Sequence, residues 1–324
     1  MNNGRMNWFP GGRSRRLFVA SQLTCLVAGT VGLTACVEGA PSTPLSSPSV
    51  TDGTSSAAVI EAAVPAAAAV EHRTYELPNS VVQVVTVPPQ SDHTLAVVWS
   101  VDLATLSQQA QAAGAIAAIN AGFFDPQNGL TTSFVIVDGA IMADPRQNPR
   151  LIENPDLQTI LPAILNRSEF RIYNCADGVE YDIATHGAPI PAPCTLVDVV
   201  GAGPQLLPAL TGYEEGFMAD NNAGERVRDA LGSQWPNARS AVGLKADGTV
   251  VLAIATQLRD ADRATGLTLA QMAEFLASLG VTKALNLDGG SSTALYFDGH
   301  TDFGKLDAEG APIERPIKSV LVVR

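Results

Sequence analysis

Three times along this chain an Asp-Gly pair interrupts apolar, β-rich sequence, and no other feature limits the fold so tightly. Val135-Ile136-Val137 and Ala140-Ile141-Met142 flank Asp138-Gly139, the runs Val242 to Lys245 and Val250 to Ala255 flank Asp247-Gly248, and Tyr296-Phe297 precedes Asp298-Gly299. Both residue types tolerate the left-handed backbone that a two-residue hairpin turn demands, so each site predicts two antiparallel strands. The chain closes with Ser319-Val320-Leu321-Val322-Val323, a β-branched apolar run that suits a core strand.

Two further units join a helix to a strand. In one, Thr268 and Gln271 form a capping box, Leu269, Met272, Phe275, Leu276 and Leu279 repeat at helical spacing, and Gly280 stops the helix before the strand leading to Asp288. In the other, Asp102 is expected to cap a helix running to about Ala113, Gly114 to end it, and Ala115 to Ile119 to form a buried strand that stops at Asn120. With the hairpins, these units imply an α+β fold: a mixed, largely antiparallel sheet with packed helices, in a single catalytic domain. Ligands of α/β sheets sit beyond the carboxyl ends of strands. The loops Asn120-Ala121-Gly122-Phe123-Phe124-Asp125 and Asp288 to Thr293 are therefore expected to converge on one crevice.

The second of those loops carries the chemistry. Leu285-Asn286-Leu287-Asp288-Gly289-Gly290-Ser291-Ser292-Thr293 passes from an apolar strand to a carboxylate, two glycines and three hydroxyls. Glycines let a ligand approach the main chain, and consecutive N–H groups and hydroxyls supply donors aimed at an oxyanion. A tight turn between two strands has the same Asp-Gly signature, so both readings stand on these residues alone.

The N-terminus has the layout of an export signal. Arg5, Arg13, Arg15 and Arg16 precede an uncharged, mostly apolar run from Leu17 to Ala35. Leu33-Thr34-Ala35-Cys36 resembles a lipobox, with Cys36 as the lipidated first residue, and Ser14-Arg15-Arg16-Leu17-Phe18-Val19 looks like a twin-arginine signal. A retained transmembrane anchor is the competing reading. Residues 36–72 are rich in Pro, Ser, Thr and Ala, too poor in large apolar side chains to offset their ordering entropy, and are expected to tether residues 73–324 to the membrane. The protein is thus expected to be extracytoplasmic and lipid-anchored to a bacterial membrane, facing the periplasm or the exterior.

Cys175 and Cys194 are the cysteines left after Cys25 and Cys36, an even pair in a compartment where disulfides persist, and are expected to bond to each other. A net charge of −12 argues against nucleic acid as a partner, because that binding needs a basic face. It does not exclude a small anion, whose local contacts outweigh charges beyond a Debye length. His72, His93, His186 and His300 are scattered, and Asp220-Asn221-Asn222 lacks the remaining ligands of a calcium loop. No cofactor is expected, and the metal requirement is open.

Four segments occur in one order: Asn120-Ala121-Gly122-Phe123-Phe124, Gly201-Ala202-Gly203-Pro204-Gln205-Leu206-Leu207, Arg239-Ser240-Ala241-Val242-Gly243 and Asn286-Leu287-Asp288-Gly289-Gly290-Ser291-Ser292. In this the chain resembles the phosphodiester glycosidase family, over about Tyr75 to Arg324. The helix from Thr268 and the late Glu314-Arg315-Pro316 fit the same pattern, while Ala121 departs from it where many relatives have a second glycine.

The resemblance implies hydrolysis of the bond between a sugar's anomeric carbon and phosphate in a glycosyl phosphodiester, with Asp288, Arg239 and Asn120 in catalysis. A guanidinium meets two phosphate oxygens with a planar fork, which makes Arg239 the expected clamp. Gly289, Gly290, Ser291 and Ser292 would hold the same oxygens, with Asn286, Ser240 and Phe123 also expected at the substrate. Whether Asp288 is acid, base or nucleophile stays open, with Asp125 as the candidate second carboxylate. Two other classes compete: an envelope lipoprotein that binds phosphorylated glycans without turnover, and a hydrolase with Ser291 or Ser292 as nucleophile, for which no Gly-x-Ser-x-Gly elbow is present.

Overall fold

A computed structural model of the protein describes residues 68–324 apart from Asp260 and Asp262; the expected signal, Cys36 and nearly all of the tether lie outside the described residues. The strand Glu71–Leu77 takes up Glu71 and His72, the last residues assigned to the tether, and the His72 ring stacks on Phe297 at 5.1 Å. Every strand pairing among the described residues is antiparallel.

The strands form three large sheets and a small hairpin. The first sheet runs, edge to edge, Glu71–Leu77, Ser80–Val87, Val250–Thr256, Arg239–Lys245, Val281–Asn286 and Gln205–Leu207. A second runs His300–Phe303, Ala294–Phe297, Ala117–Asn120, Ile317–Val323 and Leu95–Ala104. The third runs Ala140–Ala143, Val135–Val137, Thr195–Gly201, Ser168–Cys175 and Gly178–Thr185. The three predicted hairpins form as expected; at one, Asp138 and Gly139 have φ of 50° and 76°, the left-handed pair that such a turn requires.

Strand alternation decides the layering. Along Val250–Thr256, Leu252 and Ile254 join a core shared with Ile119 and Leu321 of the second sheet and Phe170 and Val200 of the third. Val251, Ala253 and Ala255 face the opposite way, onto Leu269, Met272 and Leu276 of the helix Leu269–Ser278. The second sheet is built alike, with Ala118, Val320 and Val322 packed against Leu106 and Ala110 of the helix Leu106–Ala112. Two sheets thus pack face to face, each with a helix on its outer side. Full burial of a side chain such as Leu252 contributes about 1.5–3 kcal/mol, and the terminal strand is buried along its whole length.

One element boundary differs from expectation. Asp102 lies within the strand Leu95–Ala104 and caps nothing; the helix starts at Thr105, whose side chain accepts from the Gln108 N–H while the Gln108 side chain accepts from the Thr105 N–H. That reciprocal pair satisfies two otherwise orphaned donors, which a lone aspartate three residues earlier does not. Thr268 and Gln271 make the same box as predicted. Cys175 and Cys194 form the expected disulfide.

Candidate active site

Asp288 follows the strand Val281–Asn286 and is held through its backbone. Its N–H donates to the Ala121 carbonyl at 2.9 Å, and its carbonyl accepts from Asn120 Nδ2 at 2.6 Å. Asn120 Oδ1 in turn accepts from Ser240 Oγ at 2.7 Å and from the Ala294 N–H at 3.1 Å. The two loops therefore converge as expected, but by a different route: their strands belong to two different sheets, and Asn120 is the knot between them. Asn120 and Ser240 are fully buried with these bonds made, so they position Asp288 and do not face a ligand. Asn286, also buried, donates to the carbonyls of Gly203 and Leu287, tying in the Gly201-to-Leu207 turn.

The glycine loop differs from the expected cradle. Gly290 adopts φ +61° and closes a tight turn over Gly290–Ser292, but its N–H donates to the Ala238 carbonyl at 2.9 Å and is not free for an oxyanion. A Cβ on Gly289 would stand 3.1 Å from that same carbonyl, a tighter contact than usual, so a larger residue there would press on the Ala238 backbone. Ser292 Oγ is buried without a hydrogen-bond partner, and Ser291 Oγ accepts from Arg315 Nη1 at 2.9 Å. No histidine bonds either serine among the described residues, which leaves the serine-nucleophile reading without a base. Ala121, which departs from the family pattern, is buried in the core, and at its neighbour Gly122 a Cβ would meet the Gly201 carbonyl at 2.9 Å.

The guanidinium of this site is Arg315, not Arg239. Arg239 is 3% exposed, and its Nε and Nη atoms donate to the carbonyls of Leu267, Leu231, Gly232 and Trp235 at 2.8–3.1 Å. Those four bonds brace the loop before its strand and leave no fork for phosphate. Burial pushes its pKa down to about 10, opposed by the charge of Asp229. Arg315 sits half-buried over the Phe124 ring, 4.9 Å from the centroid. The Glu314-Arg315-Pro316 segment carried the signal, but nothing in its spacing tells that it folds back onto Ser291.

The Asp288 carboxyl has its pKa pushed up to about 6, from an ordinary 3.8. Removal from water is the dominant cause, partly offset by the neighbouring Ser292 hydroxyl, the Arg315 charge and the Gly289 N–H. Asp125 does not join it: its carboxylate is paired with Arg150 Nε at 2.6 Å and accepts from the Gln127 N–H, as in a capped turn. Phe123 is half-buried, packed on the core with its ring 5.7 Å from that of Phe217. Of possible metal ligands, the one cluster among the described residues is Cys175, Glu180 and Cys194, and its sulfurs are already joined. Asp220 pairs with Arg226.

A family model described as phosphodiester glycosidase matches residues 113–324, which takes in the whole Asp288 crevice. No curated protein matches. Among solved structures, the chain is similar to the zebrafish N-acetylglucosamine-1-phosphodiester alpha-N-acetylglucosaminidase catalytic domain, auto-inhibited by its pro-peptide, at 17% identity and a TM-score of 0.55, over 79% of this chain and 83% of that one. A hypothetical protein from Synechocystis is similar at 20% identity and a TM-score of 0.50, over 78% of this chain; the chain spans 61% of that protein's length. At these identities the likeness is one of fold.

Proposed function

The chain belongs to the phosphodiester glycosidase family, and from that premise we propose that it hydrolyses the bond between a sugar's anomeric carbon and the phosphate of a glycosyl phosphodiester. The observation that carries the reading is a carboxyl of raised pKa, Asp288, set beside a cation, Arg315, that already grips Ser291. An ionised carboxylate repels a phosphodiester; a protonated one donates to it. In this reading Arg315 takes the phosphate oxygens, and Asp288 delivers its proton to the bridging oxygen as the C1–O bond breaks and its electron pair leaves with the phosphate. Water then bonds to C1 and returns a proton to Asp288. A phosphomonoester is a stable leaving group, so one carboxyl serves both steps. Ser292 Oγ, buried beside the Asp288 carboxyl, is a third donor for the substrate.

The test uses purified full-length protein and a panel of sugar-1-phosphodiesters, following free sugar and phosphomonoester together. Equimolar release that disappears in Asp288→Asn supports the reading; full activity in Asp288→Asn and Arg315→Gln overturns the assigned site. We further propose that the protein acts outside the cytoplasm on a lipid anchor at Cys36, from the layout of Leu33-Thr34-Ala35-Cys36.

A further inference from the structure

Five arginines of the folded body are paired with a carboxylate: Arg73 with Glu71, Arg146 with Asp144, Arg150 with Asp125, Arg171 with Glu169 and Arg226 with Asp220, at 2.5–2.7 Å. Arg167 and Arg228, both half-buried, have no such partner among the described residues. Arg167 Nε donates to the Glu215 carbonyl at 3.0 Å and Arg228 Nε to the next carbonyl, that of Gly216, at 2.9 Å. Two guanidiniums thus stand on consecutive peptide groups, and their Nη atoms make no hydrogen bond among the described residues. The Glu215 carboxylate next to them is occupied. It accepts from the Ser168 N–H at 3.0 Å, Ser168 Oγ at 2.8 Å, the Gln205 N–H at 3.1 Å and Thr211 Oγ1.

A chain of ring contacts links Arg167 to the loop that holds Asp288. The Arg167 guanidinium stacks 3.6 Å over the Phe217 ring, and that ring meets Phe123, two residues after the Ala121 carbonyl that holds Asp288. Burial pushes the Arg167 pKa down to about 9, with the Glu215 charge opposing and the Arg228 charge adding to the fall, so the cations feel each other. Two guanidiniums beside the single Glu215 carboxylate leave an excess positive charge, and a planar pair of forks matches tetrahedral oxyanions. The charge felt by Asp288 is that of Arg315, which makes this a separate position.

We propose that Arg167 and Arg228 form a second anion subsite, which binds a further phosphate carried by the substrate beyond the scissile diester. Its substrate identity rests on the glycosidase reading; its anion binding does not. The substrate class becomes polyanionic, with the second phosphate either joined directly to the first, as in a pyrophosphate diester, or carried farther along the aglycone.

Inorganic phosphate titrated calorimetrically into the full-length protein at low salt tests the subsite directly. Binding that survives Arg315→Gln and weakens by about tenfold or more in Arg167→Gln/Arg228→Gln supports it; an unchanged Kd in the double variant overturns it. Should the double variant fail to fold, Arg228→Gln alone is read by the phosphate-induced rise in Tm, which a purely structural arginine leaves intact and an anion ligand reduces. A kinetic arm compares kcat/KM on a singly charged diester, a pyrophosphate diester and a diester with a distal phosphate. Wild-type preference for one doubly phosphorylated substrate, collapsing to a ratio near one in the double variant, supports the subsite and identifies the spacing. Equal kcat/KM on all three in the wild type overturns it. If no diester is cleaved, the glycosidase reading fails while the phosphate titration still decides this one.

Discussion

Removing the Asp288 charge separates its two consequences. A carboxyl whose native pKa lies above its unfolded value binds its proton more tightly when folded, so it favours folding at low pH and loses that contribution as pH rises through the folded value. For Asp288 the window runs from the ordinary 3.8 to about 6. Asp288→Asn is therefore expected to melt higher than wild type above pH 6, to match it below pH 4, and to lose activity by about 10²–10⁴; calorimetric scans across that range check it. In the wild type, kcat/KM should fall above about pH 6, since this profile reports the free enzyme. The two arginines divide differently. Arg315→Gln is expected to lower kcat/KM by about 10²–10³ at little cost in Tm, whereas Arg239→Ala leaves the carbonyls of Leu231, Gly232, Trp235 and Leu267 unpaired and destabilises by at least about 2 kcal/mol. Asp288 was legible because a carboxylate ahead of Gly-Gly-Ser-Ser is chemically conspicuous. Which guanidinium meets it was not, since an arginine's partners are set by loops distant in the chain.

Elements governed by neighbours three or four residues apart were readable. The Asp-Gly hairpins and the Thr268-Gln271 box form as predicted because their chemistry is local. The same box recurs at Thr105-Gln108 and outweighs Asp102, whose segment is drawn into a strand by the terminal strand beside it. Thr268→Ala is expected to cost about 1 kcal/mol, seen as a lower urea midpoint with an unchanged slope. What could not be read was the sheet assignment. Ala117–Asn120 and Val281–Asn286 look like equivalent units, yet they pair in different sheets, because long-range pairing depends on which apolar faces meet across the shared core.

The molecule as a whole places its chemistry where two sheets meet, so the crevice depends on the complete set of strands rather than on any one loop. Its attachment is a separate matter: Cys36→Ser is expected to leave the signal uncleaved and the protein unlabelled by radioactive palmitate, and a variant still processed and membrane-bound would contradict the lipid anchor. The central claim is that Asp288 and Arg315 cleave between anomeric carbon and oxygen, not between oxygen and phosphorus. Turnover of a sugar-1-phosphodiester in oxygen-18 water, with the phosphomonoester read by phosphorus NMR, tests it most directly. The account predicts a phosphomonoester free of label, formed by the wild type and not by Asp288→Asn; oxygen-18 in the phosphate would contradict it.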